Sequence, residues 1–116
     1  MIHNALAIAG SDPSGGAGIQ ADLKVFSAHT VYGMAAITAL TAQNTTGVSA
    51  IHTPPADFIA EQIRMVFADI RVDAVKVGMI ANSEIAEAVA ITLREVKASL
   101  KVIACLLYTS DAADES

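Results

Sequence analysis

The chain has 116 residues, the size of one small domain. Hydrophobic residues make up 53% of it and charged residues 16%, which excludes an intrinsically disordered chain. The 7 Lys and Arg against 12 Asp and Glu give a net charge of −5, so neither nucleic acid nor an anionic membrane is an expected partner. The 1 cysteine excludes an intramolecular disulfide and a cysteine-based zinc site.

The sequence also carries no sign of export or membrane insertion. Its first 20 residues lack a basic segment followed by a long apolar run, as a secretory signal would have. No stretch reaches the ~18 uncharged apolar residues of a membrane span. We therefore expect a soluble cytoplasmic protein.

Short apolar runs alternate with segments of helical period along the first half of the chain. Residues 5–9 are apolar and are followed by turn-forming residues, which is typical of a buried strand. Apolar residues then recur at helical spacing from about Gly16 to His29. The Ala-rich run at residues 34–42 predicts a second, single strand.

The same alternation continues through the second half. It predicts, in order, a turn at residues 44–47, a strand at 48–53, a helix at 59–70, a strand at 74–77, a helix at 85–100 and a strand at 102–104. Asn82 or Ser83 is placed to cap the last helix. Strands that alternate with helices indicate an α/β fold with a mainly parallel sheet and flanking helices.

In such a sheet, ligands bind where the carboxyl ends of the strands meet the loops. The loop at residues 10–18, GSDPSGGAG, follows one strand and begins a helix. A Walker A loop is disfavoured because Gly16 and Ala17 stand where Lys and Ser or Thr are needed. A dinucleotide-binding loop is disfavoured because no Asp or Glu occurs between residues 23 and 56.

Two interpretations of this loop stay open. The helix start packs beneath a flat small molecule, or the glycines serve only the close packing of strand on helix. Asp12 is expected to brace the loop through an Asx-type turn. Lys76, on a predicted strand, is expected at the rim of the sheet or paired with a carboxylate.

Three motifs carry a resemblance to a known family. Residues 7–24, AIAGSDPSGGAGIQADLK, closely resemble the N-terminal signature of hydroxymethylpyrimidine/phosphomethylpyrimidine kinases, thiamine-pathway enzymes of the ribokinase-like superfamily. The resemblance continues through residues 32–48, YGMAAITALTAQNTTGV, and 72–82, VDAVKVGMIAN. It covers essentially residues 4–104. Because family members are considerably longer, it implies that residues 1–104 are the N-terminal part of an incomplete ribokinase-like fold.

The resemblance implies a pyrimidine pocket lined by backbone near Gly10 and Ala17 and by the side chains of Asp22, Gln43 and Met79. A 4-aminopyrimidine presents a donor beside an acceptor, which a glutamine amide can match in one plane. A carboxylate can accept a hydrogen bond from the ligand, and a thioether can pack on a ring face. From the residues alone, a solvated glutamine, a first-turn helix acid and a core methionine remain alternatives.

The activity implied is transfer of a phosphoryl group from ATP, with Mg²⁺, to 4-amino-5-hydroxymethyl-2-methylpyrimidine and then to its monophosphate. The resemblance places the ATP site and the residue facing the accepting hydroxyl after residue 104. The chain alone is therefore expected to be inactive, with no catalytic residue or metal ligand assigned in it. The family's dimers imply a homodimer at full length. A pyridoxine- or pyridoxal-type kinase and a non-catalytic small-ligand binding module are the alternatives.

Residues 105–116, CLLYTSDAADES, differ abruptly in composition from the rest. The string also resembles the conceptual translation of a transposase-type sequencing adapter. We interpret this segment as a non-native read-through tail and leave it out of the fold prediction.

Overall fold

The computed structural model describes residues 1–96 and the backbone of residues 101–104. Its elements are, in chain order, β1 (Asn4–Ala9), α1 (Gly18–Ala28), β2 (Tyr32–Ile37), β3 (Leu40–Asn44), β4 (Gly47–His52), α2 (Ala56–Asp69), β5 (Ala74–Val77), α3 (Ser83–Val96) and β6 (Lys101–Ala104). The predicted tail at 105–116 and the predicted helical residues 97–100 lie outside the described part. None of the described helices is both long and apolar enough to cross a bilayer.

A parallel sheet with the strand order β2-β1-β5-β6 forms the centre of the molecule. On one face of β1, Leu6 and Ile8 are fully buried in a core cluster with residues of α2 and α3. On the other face, α1 packs so closely that a Cβ on Gly33 of β2 would lie 2.9 Å from both Leu23 and Phe26. Because helices cover both faces, residues 5–9 of β1 are all apolar. The predicted α/β fold with a mainly parallel sheet is confirmed.

The run at residues 34–42 is not the single strand that its composition predicts. The chain turns at Thr38 and Ala39, whose backbone groups bond to the loop after β1: Thr38 N–H donates to Ala9 O at 2.9 Å, and Ala39 O accepts from Ser11 N–H at 2.9 Å. After this turn, β3 leaves the parallel sheet and forms an antiparallel two-stranded sheet with β4. No Gly or Pro marks the break, so apolar composition alone could not locate it.

Two asparagines perform the local roles that the sequence predicts. Asn44 Oδ1 accepts hydrogen bonds from the backbone of Thr46 at 2.9 Å and of Gly47 at 3.2 Å, closing the hairpin turn. Asn82 Oδ1 accepts from Ile85 N–H at 2.9 Å and caps α3, so the cap is Asn82 rather than Ser83. Strand β4 forms where predicted, although its residues are exposed throughout.

The glycine-rich loop folds tightly between β1 and α1. Ile19 N–H donates to Gly10 O at 2.9 Å, which brings the first turn of α1 onto the end of β1. Gly18 has a φ of +62°, and a Cβ there would lie 2.4 Å from Gly10 O. A side chain at Gly18 is therefore excluded by both conformation and space.

Asp12 braces this loop as the sequence predicts. Its carboxylate accepts from the backbone of Ser14 at 2.9 Å and of Gly16 at 3.1 Å, and from the Ser14 hydroxyl at 2.8 Å. These hydrogen bonds, the one from the Ser14 hydroxyl foremost, lower the pKa of Asp12 below its usual value. Gln20 Oε1 accepts from Asp12 N–H at 2.8 Å and holds the loop to α1.

At the opposite end of the sheet, Asp73 joins the chain before β5 to the start of β1. Its carboxylate accepts from Arg71 Nε at 3.0 Å and from Asn4 N–H at 2.7 Å. Hydrogen bonding to Arg71, followed by that from Asn4, lowers the pKa of Asp73 to about 2.

Replacing Gly18 by alanine is expected to destabilise the fold by more than about 2 kcal/mol, because a left-handed backbone and a clash with Gly10 O combine. Gly16→Ala is the matched control, since a Cβ there meets only Asp12 Oδ2 at 3.8 Å. The free energies of unfolding in urea measure both. Equal losses in the two variants would contradict this account.

The lowered pKa of Asp73 leads us to expect that the protein loses stability in acid. A group whose pKa falls on folding stabilises the protein above its unfolded value of 3.8, and this contribution disappears as pH falls toward about 2. The urea midpoint of the unmodified chain should therefore fall over this range, and Asp73→Asn should lower the midpoint at pH 7 and flatten the profile. Asp69→Asn, at an exposed carboxylate ending α2, is the control. Parallel profiles for Asp73→Asn and the unmodified chain would refute the assignment.

Candidate small-molecule binding site

A cavity of about 190 Å³ lies where the carboxyl ends of β1 and β5 meet the start of α1. Its size suits a single ring, since pockets for drug-sized ligands are ~300–1,000 Å³. The residues that line it are Ala9, Gly10, Ser11, Ala17, Gly18, Asp22, Gln43, Lys76, Gly78 and Met79. All the site residues predicted from the sequence (Gly10, Ala17, Asp22, Gln43 and Met79) are among them.

The ends of two adjacent parallel strands form the floor of the cavity. Gly10 follows β1, and Gly78 and Met79 follow β5, whose register beside β1 is fixed by the sheet. Gly78 N–H donates to Ile8 O at 2.8 Å, which extends this pairing by one residue. The Thr38 hydroxyl donates to Met79 O at 3.2 Å and holds the backbone there.

Gln43 reaches the cavity from the hairpin, outside the parallel sheet. Its strand is anchored to the glycine-rich loop by Thr41, whose hydroxyl lies 2.8 Å from Ser11 O and whose N–H donates to Ser11 Oγ at 3.3 Å. An irregularity in the β3–β4 register falls between Ala42 and Gln43, a position where bulges typically redirect a side chain.

The Gln43 amide keeps hydrogen-bonding capacity for a ligand. Its Oε1 lies 3.1 Å from the Thr41 hydroxyl, which has one proton and can donate it either there or to Ser11 O. Its Nε2 makes no hydrogen bond within residues 1–96. A donor and a partly used acceptor therefore lie side by side in one amide plane.

Asp22 contributes a buried carboxylate from α1. The residue is only 7% exposed, and its Oδ1 accepts a hydrogen bond from Lys76 Nζ on β5. Its Oδ2 is buried and has no hydrogen-bond partner in the described part of the chain. Asp22 lies beyond the first turn of α1, so the alternative of a first-turn acid that complements the helix dipole is wrong.

Lys76 is the charged lining residue that sequence reasoning left out of the site, along with Ala9, Ser11, Gly18 and Gly78. Its predicted pairing with a carboxylate is confirmed, and the partner is Asp22. The available signal was the strand Ala74–Val77 itself, in which one lysine lies between two buried valines. Alternation turns Lys76 to the face opposite the valines, where α1 packs. The pairing across 54 positions of sequence carried no local signal.

The charges that line the cavity cancel. Asp22 and Lys76 are its only ionisable lining residues in the described part of the chain, and they form an ion pair. The remaining lining groups are small or apolar residues, backbone, Ser11 and the Gln43 amide. Such a cavity suits an uncharged flat ring with a few hydrogen-bonding groups.

Comparisons with known proteins agree with this geometry. The family model described as phosphomethylpyrimidine kinase matches residues 12–114. A hydroxymethylpyrimidine/phosphomethylpyrimidine kinase of Escherichia coli is 60% identical over 87 residues, which are 75% of this chain and 33% of that protein. The chain thus spans about a third of the length of this relative.

Two solved structures share the fold. A phosphomethylpyrimidine kinase from Clostridium difficile matches with a TM-score of 0.84 at 46% identity, over 93% of this chain and 47% of that one. A pyridoxal kinase from Staphylococcus aureus, in complex with AMP-PCP and pyridoxal, matches with a TM-score of 0.76 at 33% identity, over 90% and 38%. The family match and these shared folds confirm the resemblance carried by the three motifs: the chain belongs to the phosphomethylpyrimidine kinase family.

Proposed function

We propose that the cavity binds 4-amino-5-hydroxymethyl-2-methylpyrimidine and its monophosphate, and that the whole protein phosphorylates both with ATP in thiamine biosynthesis. The observation that carries the proposal is the shared cavity: Gln43, whose amide donor is free, Asp22, which has a buried carboxylate oxygen without a partner, and Met79 all line one ring-sized space.

Gln43 is proposed to recognise the edge of the pyrimidine. The ring presents an exocyclic N–H donor next to a ring-nitrogen acceptor, and an amide presents the complementary acceptor and donor. The two hydrogen bonds share a plane and fix the rotation of the ring. Thr41, which is hydrogen-bonded to Ser11, holds the strand of Gln43 beside the loop at residues 10–18.

Asp22 and Met79 are proposed to complete the ring site. A buried carboxylate oxygen without a partner is costly, so a ligand N–H or O–H that reaches Asp22 Oδ2 removes a penalty as well as adding a hydrogen bond. The Met79 side chain supplies a polarizable apolar surface against the ring face. Backbone at Gly10 and Ala17 closes the remaining side of the cavity.

ATP and Mg²⁺ are proposed to bind the whole protein outside the described residues. The AMP-PCP complex of the Staphylococcus aureus neighbour supports ATP as the phosphoryl donor. Within residues 1–96, no three His, Cys, Asp or Glu side chains cluster as metal ligands. The glycine-rich loop also lacks the Lys and Ser or Thr of a Walker A loop, so these residues do not themselves fit the nucleotide and its metal.

A pyridoxal-type kinase is the second candidate. The fold shared with the Staphylococcus aureus pyridoxal kinase supports it, since pyridoxal is also a flat ring with a hydroxymethyl group. The Gln43 amide favours the aminopyrimidine, because pyridoxal has no amino group beside its ring nitrogen. The full-length protein is further proposed to be a cytoplasmic homodimer without nucleic-acid or membrane partners.

The proposal predicts that Gln43 sets the specificity. The test uses a chimera in which this chain supplies the 87 aligned residues of the Escherichia coli relative. Gln43→Leu should lower kcat/KM for the pyrimidine ~10–100-fold, because two hydrogen bonds are lost and a ligand donor is left unpaired. Gln43→Glu should lower it comparably, since the amide donor is replaced by a charged acceptor.

Thr45→Ala, at the exposed hairpin tip, is the control and should leave kcat/KM unchanged. Phosphorylation of the pyrimidine and of pyridoxal is measured in parallel. A chimera that turns over pyridoxal and not the pyrimidine would replace the first candidate by the second. Pyrimidine binding by the 116-residue chain together with an inactive chimera would favour a non-catalytic binding module.

A further inference from the structure

Asp22 on α1 and Lys76 on β5 form an ion pair in the wall of the cavity. Among the described residues, it is the one ion pair in that wall. Lys76 stands on β5, which is fixed between β1 and β6 by parallel pairing on both sides. Its side chain is 34% exposed, against 9% for that of Asp22. The lysine thus keeps partial hydration while the carboxylate is almost entirely enclosed.

An enclosed carboxylate needs a partner to stay charged and in place. Without one, it takes up a proton or turns toward solvent, because burial penalises the charged form. Here the ammonium group satisfies Oδ1 alone and leaves Oδ2 without a donor. The contact therefore fixes the carboxylate by one oxygen, and the other stays buried without a partner.

From this geometry we infer that Lys76 is a positioning residue of the ring site, which acts through Asp22. The lysine holds the Asp22 carboxylate in one orientation, in which Oδ2 is left as the acceptor for an N–H or O–H of the ligand. Lys76 itself needs no contact with the ligand. The inference rests on the proposed function, in that the ligand is a ring with such a donor.

The test is a double-mutant cycle on the 116-residue chain, with dissociation constants for 4-amino-5-hydroxymethyl-2-methylpyrimidine measured by calorimetry. Lys76→Met should weaken binding about 10-fold or more, since it leaves the carboxylate unpaired. Asp22→Asn should also weaken it, and the double variant should bind within about 2-fold of Asp22→Asn alone. Lys76→Arg, which keeps the cation, should stay within about 3-fold of the unmodified chain.

Lys24→Met is the matched control. Like Lys76→Met, it replaces a positively charged lysine by methionine, but Lys24 lies on α1 and does not line the cavity. Its ammonium group donates to Gly15 O at 3.0 Å. The affinity of the Lys24→Met variant for the pyrimidine should equal that of the unmodified chain. Melting temperatures are recorded for every variant, and Asp22→Asn/Lys76→Met should melt above Lys76→Met, because it contains no uncompensated buried carboxylate. The double and arginine variants keep the test valid even where Lys76→Met unfolds.

Two outcomes overturn the inference. One is an unchanged affinity in Lys76→Met. The other is a double variant weakened by the product of the two single effects, which would mean that Lys76 contacts the ligand independently. Pyridoxal is titrated in the same series. If pyridoxal binds and the pyrimidine does not, the proposed substrate is wrong. The same double-mutant cycle, measured with dissociation constants for pyridoxal, then still decides the role of Lys76.

Discussion

The close approach of Gly18 to the Gly10 carbonyl is the constraint on which the site depends. It brings the start of α1 down onto the end of β1, with Ile19 N–H donating to that carbonyl at 2.9 Å. From this start, the helix carries Asp22 toward β5, where Lys76 meets it. A larger residue at Gly18 would lift the helix from the strand and separate the two charges. The glycines therefore serve tight packing, and the cavity is a consequence of that packing.

The cavity has a floor formed by the ends of parallel strands and one polar wall residue, Gln43, that comes from the hairpin outside that sheet. Gly10, Gly78 and Met79 follow adjacent strands whose register is fixed by the parallel ladder. Gln43 comes from a hairpin whose residues are mostly exposed, and Thr41 ties it to the loop through two contacts with Ser11. The Gln43 amide is thus held by a few side-chain hydrogen bonds, whereas the floor of the cavity is held by the core.

Local patterns in the sequence predicted the elements but not all of their partners. Residues 5–9 and 74–77 are short apolar runs that end at glycines, and both became strands of the parallel sheet. Residues 34–42 are also largely apolar, yet they divide into two strands of different sheets, because Thr38 N–H donates to Ala9 O and Ala39 O accepts from Ser11 N–H. The five residues that the motifs indicated all line one cavity. The pairing of Lys76 with Asp22 arises only when a strand and a helix meet in three dimensions.

The two polar elements of the cavity have different consequences for ligand choice. Under the proposed function, Asp22, which is paired with Lys76, offers an acceptor to any ring that carries a suitably placed donor, and a hydroxymethyl group provides one on both an aminopyrimidine and pyridoxal. Gln43 offers a donor and an acceptor in one plane, a pattern that matches an amino group next to a ring nitrogen. The proposal therefore assigns discrimination between the two rings to the hairpin and assigns to the charged pair a contribution to the binding of either ring. If Gln43 sets the choice as proposed, a scaffold shared with pyridoxal kinases changes its substrate through the hairpin and needs no change in the sheet, the glycine-rich loop or the ion pair.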